Sequence, residues 1–488
     1  MKQLLRNRFI ALLLVGVLII SMTACSKSDG GSQPVNEEAQ AVESNDDTAD
    51  EFERPFDKYI QGEEVVDLGG YNFKVVDFHS HRWEPEEITS PMDELVVAIK
   101  EDVEKTFNCT ITYENVAPDV IFETAQPEIM AGGKYADLIG TTMWAFGKLL
   151  GSNLLADLND VESLNLENSY WNQGVIDTAT FGNSTYAFGA PFGSHFGNYW
   201  VVYYNARIWN ELGLPDPYEM VEAGTWTWDK FVSYAKKATL DMDGDGLVGS
   251  ENDRWGLTAP SGDLIQSIFF GLGGKYYKEV EPGKVRVACT DAESAEKMNA
   301  MYKFYQTDNV LYQNENLGYK EMFAAGKSLF CAYGNGAHTE FKDMEDDFGV
   351  LPMPKWNEAQ EAYIGAPDHN APIFAMTSTN KNTYEAGIII EALGRRYQAY
   401  DDLAIEDYEN TFWRFDKDRE IVEKYVDNHG AYDISNIIKN ANSNFDLPAK
   451  SLFEGCFLNL YTDIVSTIKS FEDAISVLLD EFFINLSK

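Results

Sequence analysis

The sequence predicts an α/β protein built from two lobes. Near the N-terminus, segments of strand character alternate with segments of helical periodicity, a pattern typical of parallel sheets with crossover helices. A second run of the same kind begins near Asn198. The chain has 488 residues, more than one hydrophobic core usually organises.

The first 25 residues resemble an export signal. Lys2, Arg6 and Arg8 precede an apolar run over residues 9–20, and Ala24 stands directly before Cys25. This composition is typical of a secretory signal, and the run is shorter than the ~20 residues of a spanning helix. The segment is similar to a bacterial lipobox, although Met22 stands where Leu is usual. The resemblance implies removal of residues 1–24 and lipidation of Cys25. An ordinary signal peptide or a short membrane anchor is the alternative.

Residues 25–54 predict a flexible tether. They are mostly Ser, Gly, Gln, Asn, Asp and Glu, with almost nothing to bury. Segments of this composition stay disordered because they cannot offset the entropy lost on folding. We therefore expect an acidic linker that holds the folded protein away from the membrane.

The first lobe is predicted from a strand that starts at Tyr71. Helical spacing follows over 92–107, a second strand over 109–113, a helix that ends at 131–133, and a third strand over 135–139. In parallel sheets, ligands bind beyond the carboxyl ends of the strands. Residues 79–83 and 141–144 occupy those positions.

The second lobe is predicted to start with a strand over 199–204, and residues 328–333 form another. A helix is predicted to open with Trp228-Asp229, because an acidic side chain in the first turn favours the positive end of the helix dipole. Further helices are predicted over 292–306, 384–400, 419–428 and 464–484.

Charge and cysteine usage exclude several classes of partner and site. The formal net charge is −41, which repels nucleic acid and anionic lipid and suits a neutral or cationic ligand. Solubility alone accounts for most of such a charge. Cys109, Cys289, Cys331 and Cys456 are scattered, so neither a zinc site nor a disulfide framework is indicated.

One loop carries the spacing of a calcium site. Oxygen ligands on alternate residues, with Gly246 at the sixth position for a sharp turn, are what Ca²⁺ requires. The Glu expected at the twelfth position is replaced by Asn252, so we expect a structural Ca²⁺ loop attached to another fold. A metal-free acidic turn is the alternative. The candidate ligands are Asp241, Asp243, Asp245, the carbonyl of Leu247, and Asp253.

Several segments, taken in order, resemble one known group, the sugar-binding lipoproteins of bacterial ABC importers (family 1 extracellular solute-binding proteins). Each segment alone is weak, but their number and order identify the resemblance. The segments are Ala131-Gly132-Gly133 with Tyr135–Ile139, Leu155–Asn159, Val202–Asn205 with Leu212–Pro217, Thr225–Asp229 before Asp241–Gly246, Phe323–Lys327, Leu351–Lys355 with Glu358–Gln360, and Ser378–Asn382.

The resemblance implies a type II-like periplasmic-binding-protein fold that closes on a ligand between its lobes. Lobe 1 would comprise 55–197 and 360–402, and lobe 2 would comprise 198–359 and 403–488. Three crossings near 195–199, 352–362 and 400–404 would join them. The implied protein is a monomer on the outer face of the membrane, anchored by Cys25, which delivers a mono- or oligosaccharide to an ABC permease and binds no nucleic acid.

The candidate ligand residues are chosen by position. Sugars are bound by aromatic faces and by polar side chains that hydrogen-bond their hydroxyls, within a cleft of few convergent polar groups. A core or surface role is the alternative for each. The candidates are Trp83, Trp144, Trp200, Asn335, His338, Asp368 and His369.

Two other classes of function remain as alternatives. An exported polysaccharide hydrolase needs two carboxylates flanking the scissile bond, and among 79 acidic residues such a pair is no indication by itself. A surface lipoprotein without a transport role predicts no closing cleft. Nucleophile-elbow, zinc-helix and phosphate-loop motifs are missing from the sequence, so we expect a binding protein rather than an enzyme.

Overall fold

The computed structural model describes residues 54–193, 199–281, 283–307, 309–312, 318–367, 371–411, 414–426, 434–435, 437 and 463–486. The predicted export signal, Cys25 and nearly all of the predicted linker lie outside these residues, as do Asp368 and His369.

The strands run through both predicted lobes. In chain order they are β1 (Tyr71–Asp77), β2 (Cys109–Asn115), β3 (Leu138–Thr142), β4 (Thr180–Phe181), β5 (Ser184–Thr185), β6 (Tyr199–Asn205), β7 (Trp255–Thr258), β8 (Tyr277–Glu281), β9 (Lys284–Val287), β10 (Leu311–Tyr312), β11 (Ser328–Gly334), β12 (Phe348–Leu351), β13 (Ala366–Pro367) and β14 (Pro372–Ala375).

The helices lie between these strands and after them. They are α1 (Pro91–Phe107), α2 (Ile121–Met130), α3 (Met143–Gly151), α4 (Gln173–Thr178), α5 (Ala206–Glu211), α6 (Pro217–Glu222), α7 (Trp228–Ala238), α8 (Ser261–Gly271), α9 (Ala292–Thr307), α10 (Tyr319–Ala324), α11 (Thr383–Thr411), α12 (Asp416–Tyr425) and α13 (Ile464–Leu486). Short 3₁₀ turns occupy Ser80–Arg82, Leu158–Asp160, Pro191–Gly193 and Asn335–Phe341.

The first lobe contains a sheet with the order β14-β3-β1-β2. Strands β1, β2 and β3 are parallel, as predicted, and β14 pairs with β3 in the antiparallel sense. Strand β3 begins three residues later than the sequence predicts because Asp137 is fully buried as an acceptor. Its carboxylate accepts bonds from the Tyr71 hydroxyl at 2.6 Å and from the Lys74 N–H at 2.8 Å.

Local signals explain where α1 begins and ends. Ser90 caps the helix by accepting from the Asp93 N–H, and the Asp93 carboxylate accepts from Ser90 in return. Pro91 fits the first turn because its missing N–H needs no partner there. The helix ends at Asn108, whose φ of 49° breaks the helical path. The apolar face of α1 packs, with α11, against one face of the first sheet.

The second lobe is organised around β6. The sheet has the order β10-β7-β11-β6-β12, and β13 also pairs with β6. Strands β10, β7 and β11 are parallel, whereas β6 runs antiparallel to β11 and β12. All seven residues of β6 are buried, so this strand is the centre of the second core.

The predicted second crossing near 352–362 is wrong, because that segment packs on the second lobe. Lys355 forms a backbone bridge with Thr227, and the Gln360 amide donates to the Gly271 carbonyl at 2.9 Å. Strand β13 still pairs with β6, so the chain changes sheets only between Pro367 and Pro372. Near the predicted third crossing, α11 continues as one helix through residues 400–404.

Helix α13 contacts both lobes. Phe482 and Phe483 pack against Phe181 of the first lobe. Asp480 binds Arg286 of the second lobe through two hydrogen bonds of 2.7 and 2.9 Å. Among the described residues, no helix combines the length and the apolar character that crossing a membrane requires.

Candidate functional site

The start of β6 and the carboxyl end of β3 lie where the chain passes from one sheet to the other. Pro367 pairs with Tyr199 at the start of β6, and Pro372 pairs with Thr142 at the carboxyl end of β3. Five residue steps span at most ~18 Å, so these two edges lie close to one another. The carboxyl ends of parallel strands are where α/β proteins bind ligands, and we call this region the cleft edge.

In the second lobe, the cleft edge brings together two of the predicted residues. Trp200 pairs with Gly334 across β6 and β11 and with Ala366 across β6 and β13. Asn335 follows directly, and its side-chain oxygen accepts a bond from the Tyr199 N–H at 3.3 Å. Both predicted residues are 2% exposed.

Aromatic packing fixes the position of these residues. The Trp200 ring meets Tyr333 edge-on at 5.4 Å between centroids. The Tyr203 hydroxyl donates to the carbonyls of Gly334 and Asn335 at 3.0 and 2.8 Å. The strand end is thus held rigidly, which is what a preorganised binding site requires.

The predicted histidines and Asp368 cannot be placed by their side chains. His338 lies within the 3₁₀ turn Asn335–Phe341, and nothing of its side chain is described. Asp368 and His369 lie outside the described residues, directly after β13.

In the first lobe, the cleft edge contains two buried hydroxyls without a partner. Thr141 and Thr142 are 0% and 2% exposed, and neither Oγ1 atom has a hydrogen-bond partner. Thr142 is also the N-cap residue of α3, where a threonine normally accepts a bond from the first turn. Its side chain makes no such bond.

Burying a hydroxyl without a partner costs about 1–3 kcal/mol, so these two groups need an explanation. Both lie at the carboxyl end of β3, the position at which a ligand would supply the missing bonds. Strand position predicts residues 141–144 as a ligand-binding segment, but only Trp144 is among the predicted ligand residues. Trp144 itself lies in the first turn of α3 and is partly buried against the core that contains Trp200.

Trp83 lies behind the first-lobe edge rather than on its surface. It is 3% exposed, its indole N–H donates to Asp77 Oδ2 at 2.7 Å, and its ring packs on Phe192 at 5.3 Å. Asp77 in turn fills the space above Gly140, where a Cβ atom would lie 2.5 Å from the Asp77 carboxyl carbon.

A buried arginine precedes this tryptophan in the chain. Arg82 is 7% exposed and its Nη1 atom has no hydrogen-bond partner. Burial raises the pKa of the Asp77 carboxyl, and the nearby Arg82 guanidinium opposes that effect. Burial, together with Arg82, lowers the pKa of His79 to about 3, so this histidine is neutral at physiological pH. Burial lowers the pKa of Arg82, and attraction to Asp77 opposes that effect.

The predicted calcium loop brings three of its five candidate ligands together. Asp241, Asp243 and Asp253 each place one carboxylate oxygen within 4.8 Å of the others. Gly244 and Gly246 adopt φ values of 78° and 86°, a region that side chains disfavour. Asp245 and Leu247 lie in the same loop but outside this cluster, and Leu247 is 71% exposed.

The loop is also hydrogen-bonded without a metal. Asp241 accepts from the N–H groups of Gly244 and Gly246 at 2.7 and 2.8 Å. Burial opposes ionisation of Asp253, but bonds from the N–H groups of Gly249, Ser250 and Met242 lower its pKa to about 2. Carboxylates held this close together repel one another unless a cation lies between them.

Comparisons with known proteins agree with this architecture. The family of bacterial extracellular solute-binding proteins matches residues 98–390. An ABC substrate-binding protein from Listeria monocytogenes in complex with cycloalternan aligns with a TM-score of 0.53, at 16% identity over 83% of this chain and 98% of that one. A cyclic α-maltosyl-1,6-maltose binding protein from Arthrobacter globiformis aligns at 0.57, with 13% identity over 85% and 100%.

A further neighbour has a different kind of ligand. UgpB from Mycobacterium tuberculosis in complex with glycerophosphocholine aligns with a TM-score of 0.54, at 14% identity over 85% of this chain and 99% of that one. Such likenesses establish the two-lobed binding-protein fold. Among curated proteins, no match to this chain is found.

Proposed function

Because the chain belongs to the bacterial extracellular solute-binding proteins, we propose that it captures a carbohydrate and delivers it to the membrane subunits of an ABC importer. The proposal depends most on the cleft edge, where buried hydroxyls without partners lie opposite a rigid aromatic strand end. Two structural neighbours, from Listeria and Arthrobacter, are associated with carbohydrates, which supports the same solute class.

The chemistry of the cleft edge suits a neutral, hydroxyl-rich solute. Thr141 and Thr142 can donate to or accept from sugar hydroxyls, while Trp144 is only partly buried and can offer an apolar ring face. A sugar presents both surfaces, since its C–H faces are apolar and its hydroxyls lie at the ring edge.

The proposed cycle is one of binding without catalysis. Solute bridges the two lobes, the lobes close on it, and the closed form docks on the permease. The solute can drive closure only by binding the closed form more tightly than the open one.

A thermal unfolding scan of residues 26–488 against mono- and oligosaccharides tests the proposal. A ligand at ~100 times its dissociation constant adds ~2.7 kcal/mol to the free energy of unfolding. One sugar class should raise the melting temperature, and small-angle scattering with that sugar should show a more compact protein. An unchanged melting temperature with every sugar would refute a carbohydrate solute. Hydrolysis of a bound oligosaccharide would favour the hydrolase instead.

We also propose that the acidic loop binds one structural Ca²⁺ ion through Asp241, Asp243 and Asp253, with Asp245 and the Leu247 carbonyl as further oxygen ligands. The spacing of the three clustered carboxylates supports this. Calorimetric titration of EDTA-treated protein with Ca²⁺ should give one site, and the Asp243→Asn variant should bind at least tenfold more weakly. Equal affinity in both proteins would refute the assignment.

The anchoring step is part of the same proposal. Cys25 would be lipidated after removal of residues 1–24, which keeps the protein on the outer face of the cell membrane as a monomer. Metabolic labelling with a palmitate analogue should mark the wild-type protein and leave Cys25→Ser unlabelled. Release of an unmodified wild-type protein into the medium would contradict lipid anchoring and leave an ordinary export signal.

A further inference from the structure

A cavity of about 450 Å³ lies between residues of both lobes, away from the cleft edge. One wall is formed by α4 and β4 of the first lobe, from Gly174 to Phe181. The other is formed by the end of α8 and the β8–β9 hairpin of the second lobe, from Phe270 to Val285. A volume of this size is typical of sites for small organic molecules.

The cavity is separate from the proposed solute site. Helix α8 begins at Ser261, three residues after β7 ends at the cleft edge, and the cavity is lined by Phe270 and Gly274 at its opposite end. Eleven helical residues span ~16 Å. A molecule in the cavity would therefore occupy different contacts from a solute at Thr142 and Trp200.

The charged groups of the cavity are distributed unevenly between its walls. Lys275 and Lys278 lie on the second-lobe wall, and neither forms an ion pair within the described part of the chain. The positive charge of Lys278 helps to lower the pKa of Asp291 by electrostatic attraction. Asp177 lies on the first-lobe wall, also without an ion pair among the described residues. Glu279 also lies on the second-lobe wall, so that wall carries two cations and one anion and the first-lobe wall carries one anion.

The remaining polar groups of the lining are already engaged. The Thr178 and Thr180 hydroxyls donate to the carbonyls of Gly174 and Ile176 at 2.8 and 2.7 Å. A carboxylate oxygen of Glu279 accepts from the Gly283 N–H within the hairpin. This leaves Lys275, Lys278, Asp177 and the second carboxylate oxygen of Glu279 as the groups that can bind a ligand, beside the apolar surfaces of Phe181 and Phe270.

Contacts outside the cavity hold both walls in place. Arg286 of β9 and Phe181 of β4 are both bound to α13, through the bonds to Asp480 and the ring contacts with Phe482 and Phe483. The walls are therefore preorganised, which lowers the entropy lost when a ligand binds.

We propose that this cavity is a second ligand site, which takes a small hydroxylated organic anion. Its carboxylate or phosphate group binds Lys275 and Lys278, and one of its hydroxyls donates to Asp177. Because the ligand touches both lobes, its binding is coupled to any change in the angle between them. The site goes beyond the proposed transport function and does not depend on the identity of the transported solute.

Calorimetric titration of the mature protein with D-gluconate, D-glucose 6-phosphate and D-glucose tests the site. We expect at least one of the two anions to bind in the cavity and the neutral sugar not to bind there. Comparison of the two anions shows whether the site prefers a carboxylate or a phosphate group. In the double variant Lys275→Gln/Lys278→Gln, the dissociation constant of that anion should rise at least tenfold, about 1.4 kcal/mol.

Matched variants distinguish specific binding in this cavity from a general effect of charge on anion binding. Lys284→Gln removes a cation from the same hairpin that is not part of the cavity lining and lies 3.6 Å from Glu281, so anion affinity should stay within twofold. Asp177→Asn should weaken the hydroxylated anion severalfold and leave inorganic phosphate binding unchanged. Equal loss in Lys284→Gln, unchanged affinity in the double variant, or no binding of either anion at millimolar concentration would overturn the proposal.

Discussion

Replacing Thr142 with valine should make the protein more stable and its solute binding weaker. The Oγ1 atom of Thr142 is buried, has no hydrogen-bond partner, and does not cap α3. Valine has nearly the same shape, so the substitution removes the buried hydroxyl without opening a cavity. Relief of a desolvation cost of about 1–3 kcal/mol should raise the free energy of unfolding of the solute-free protein by about 1 kcal/mol.

The same change should reduce affinity if the hydroxyl contacts the solute. Loss of one neutral hydrogen bond costs about 0.5–1.5 kcal/mol, so the dissociation constant should rise by about 2- to 10-fold. Urea unfolding measures the first quantity without solute. Calorimetric titration with the sugar found in the thermal scan measures the second.

Thr377→Val is the matched control. Thr377 is fully buried like Thr142, but its hydroxyl donates to the Ala136 carbonyl at 2.9 Å. Valine there leaves that carbonyl without its partner, so the protein should lose about 1–3 kcal/mol of stability and keep its affinity. If Thr142→Val is instead destabilised with unchanged affinity, the hydroxyl has a structural partner and the reasoning fails.

Three further predictions follow from buried and clustered charges. Burial raises the pKa of Asp418 to about 7, above its value in the unfolded chain. Its protonated form therefore stabilises the fold below about pH 4, and this contribution, as much as about 4 kcal/mol, is lost as the pH rises through 7. Asp418→Asn should flatten that fall in urea unfolding, and a slope equal to wild type would contradict the assignment. Arg396→Met should cost about 3–5 kcal/mol because fully buried Arg396 binds Glu63 and Asp102 at 2.8 Å. Lys417→Met, which breaks an exposed pair with Glu222, should cost ~1 kcal/mol or less, and similar losses in both variants would exclude burial as the cause. Ca²⁺ should raise the melting temperature of wild type over EDTA-treated protein, and Asp253→Asn should abolish the increase without changing binding at the cleft edge.

Strand and helix positions in the first lobe could be predicted closely because local signals there agree with the final packing. The Ser90 capping box, the apolar spacing of α1 and the buried run of β1 each specify one structure. Agreement between local preference and global fold is what makes such segments predictable. The predicted start of β3 is too early because Tyr135 and Ala136 are buried and apolar, like the residues of a buried strand. Nothing in the local pattern shows that Asp137 is an acceptor for Lys74.

The second crossing could not be placed from the sequence because it depends on pairings between distant segments. The segment after β12 ends at Pro367, and only its pairing with Tyr199 assigns it to the second lobe. A short strand of two residues carries no periodicity. Likewise, α11 continues without interruption through residues 400–404, so no local break in the sequence marks the predicted third crossing.

The candidate site shows the same division between what is local and what is not. Trp200 and Asn335 are predicted from the sequence because Trp200 lies within β6 and Asn335 directly follows β11, and both strands are recognisable by themselves. Thr142 could not be distinguished from other threonines, since its importance comes from a missing hydrogen bond. Trp83 shows the opposite case, because its position after β1 is right but its ring turns inward to Asp77 and Phe192.

The fold does not determine the solute. Neighbours in complex with cycloalternan and with glycerophosphocholine align with this chain at nearly equal TM-scores, 0.53 and 0.54, so the same pair of sheets serves different ligand chemistries. Solute class must therefore depend on the side chains at the sheet ends. There, this chain places buried threonine hydroxyls without partners and the partly buried ring of Trp144. The second cavity differs from this edge, because Lys275 and Lys278 lie there without ion-pair partners in the described part of the chain.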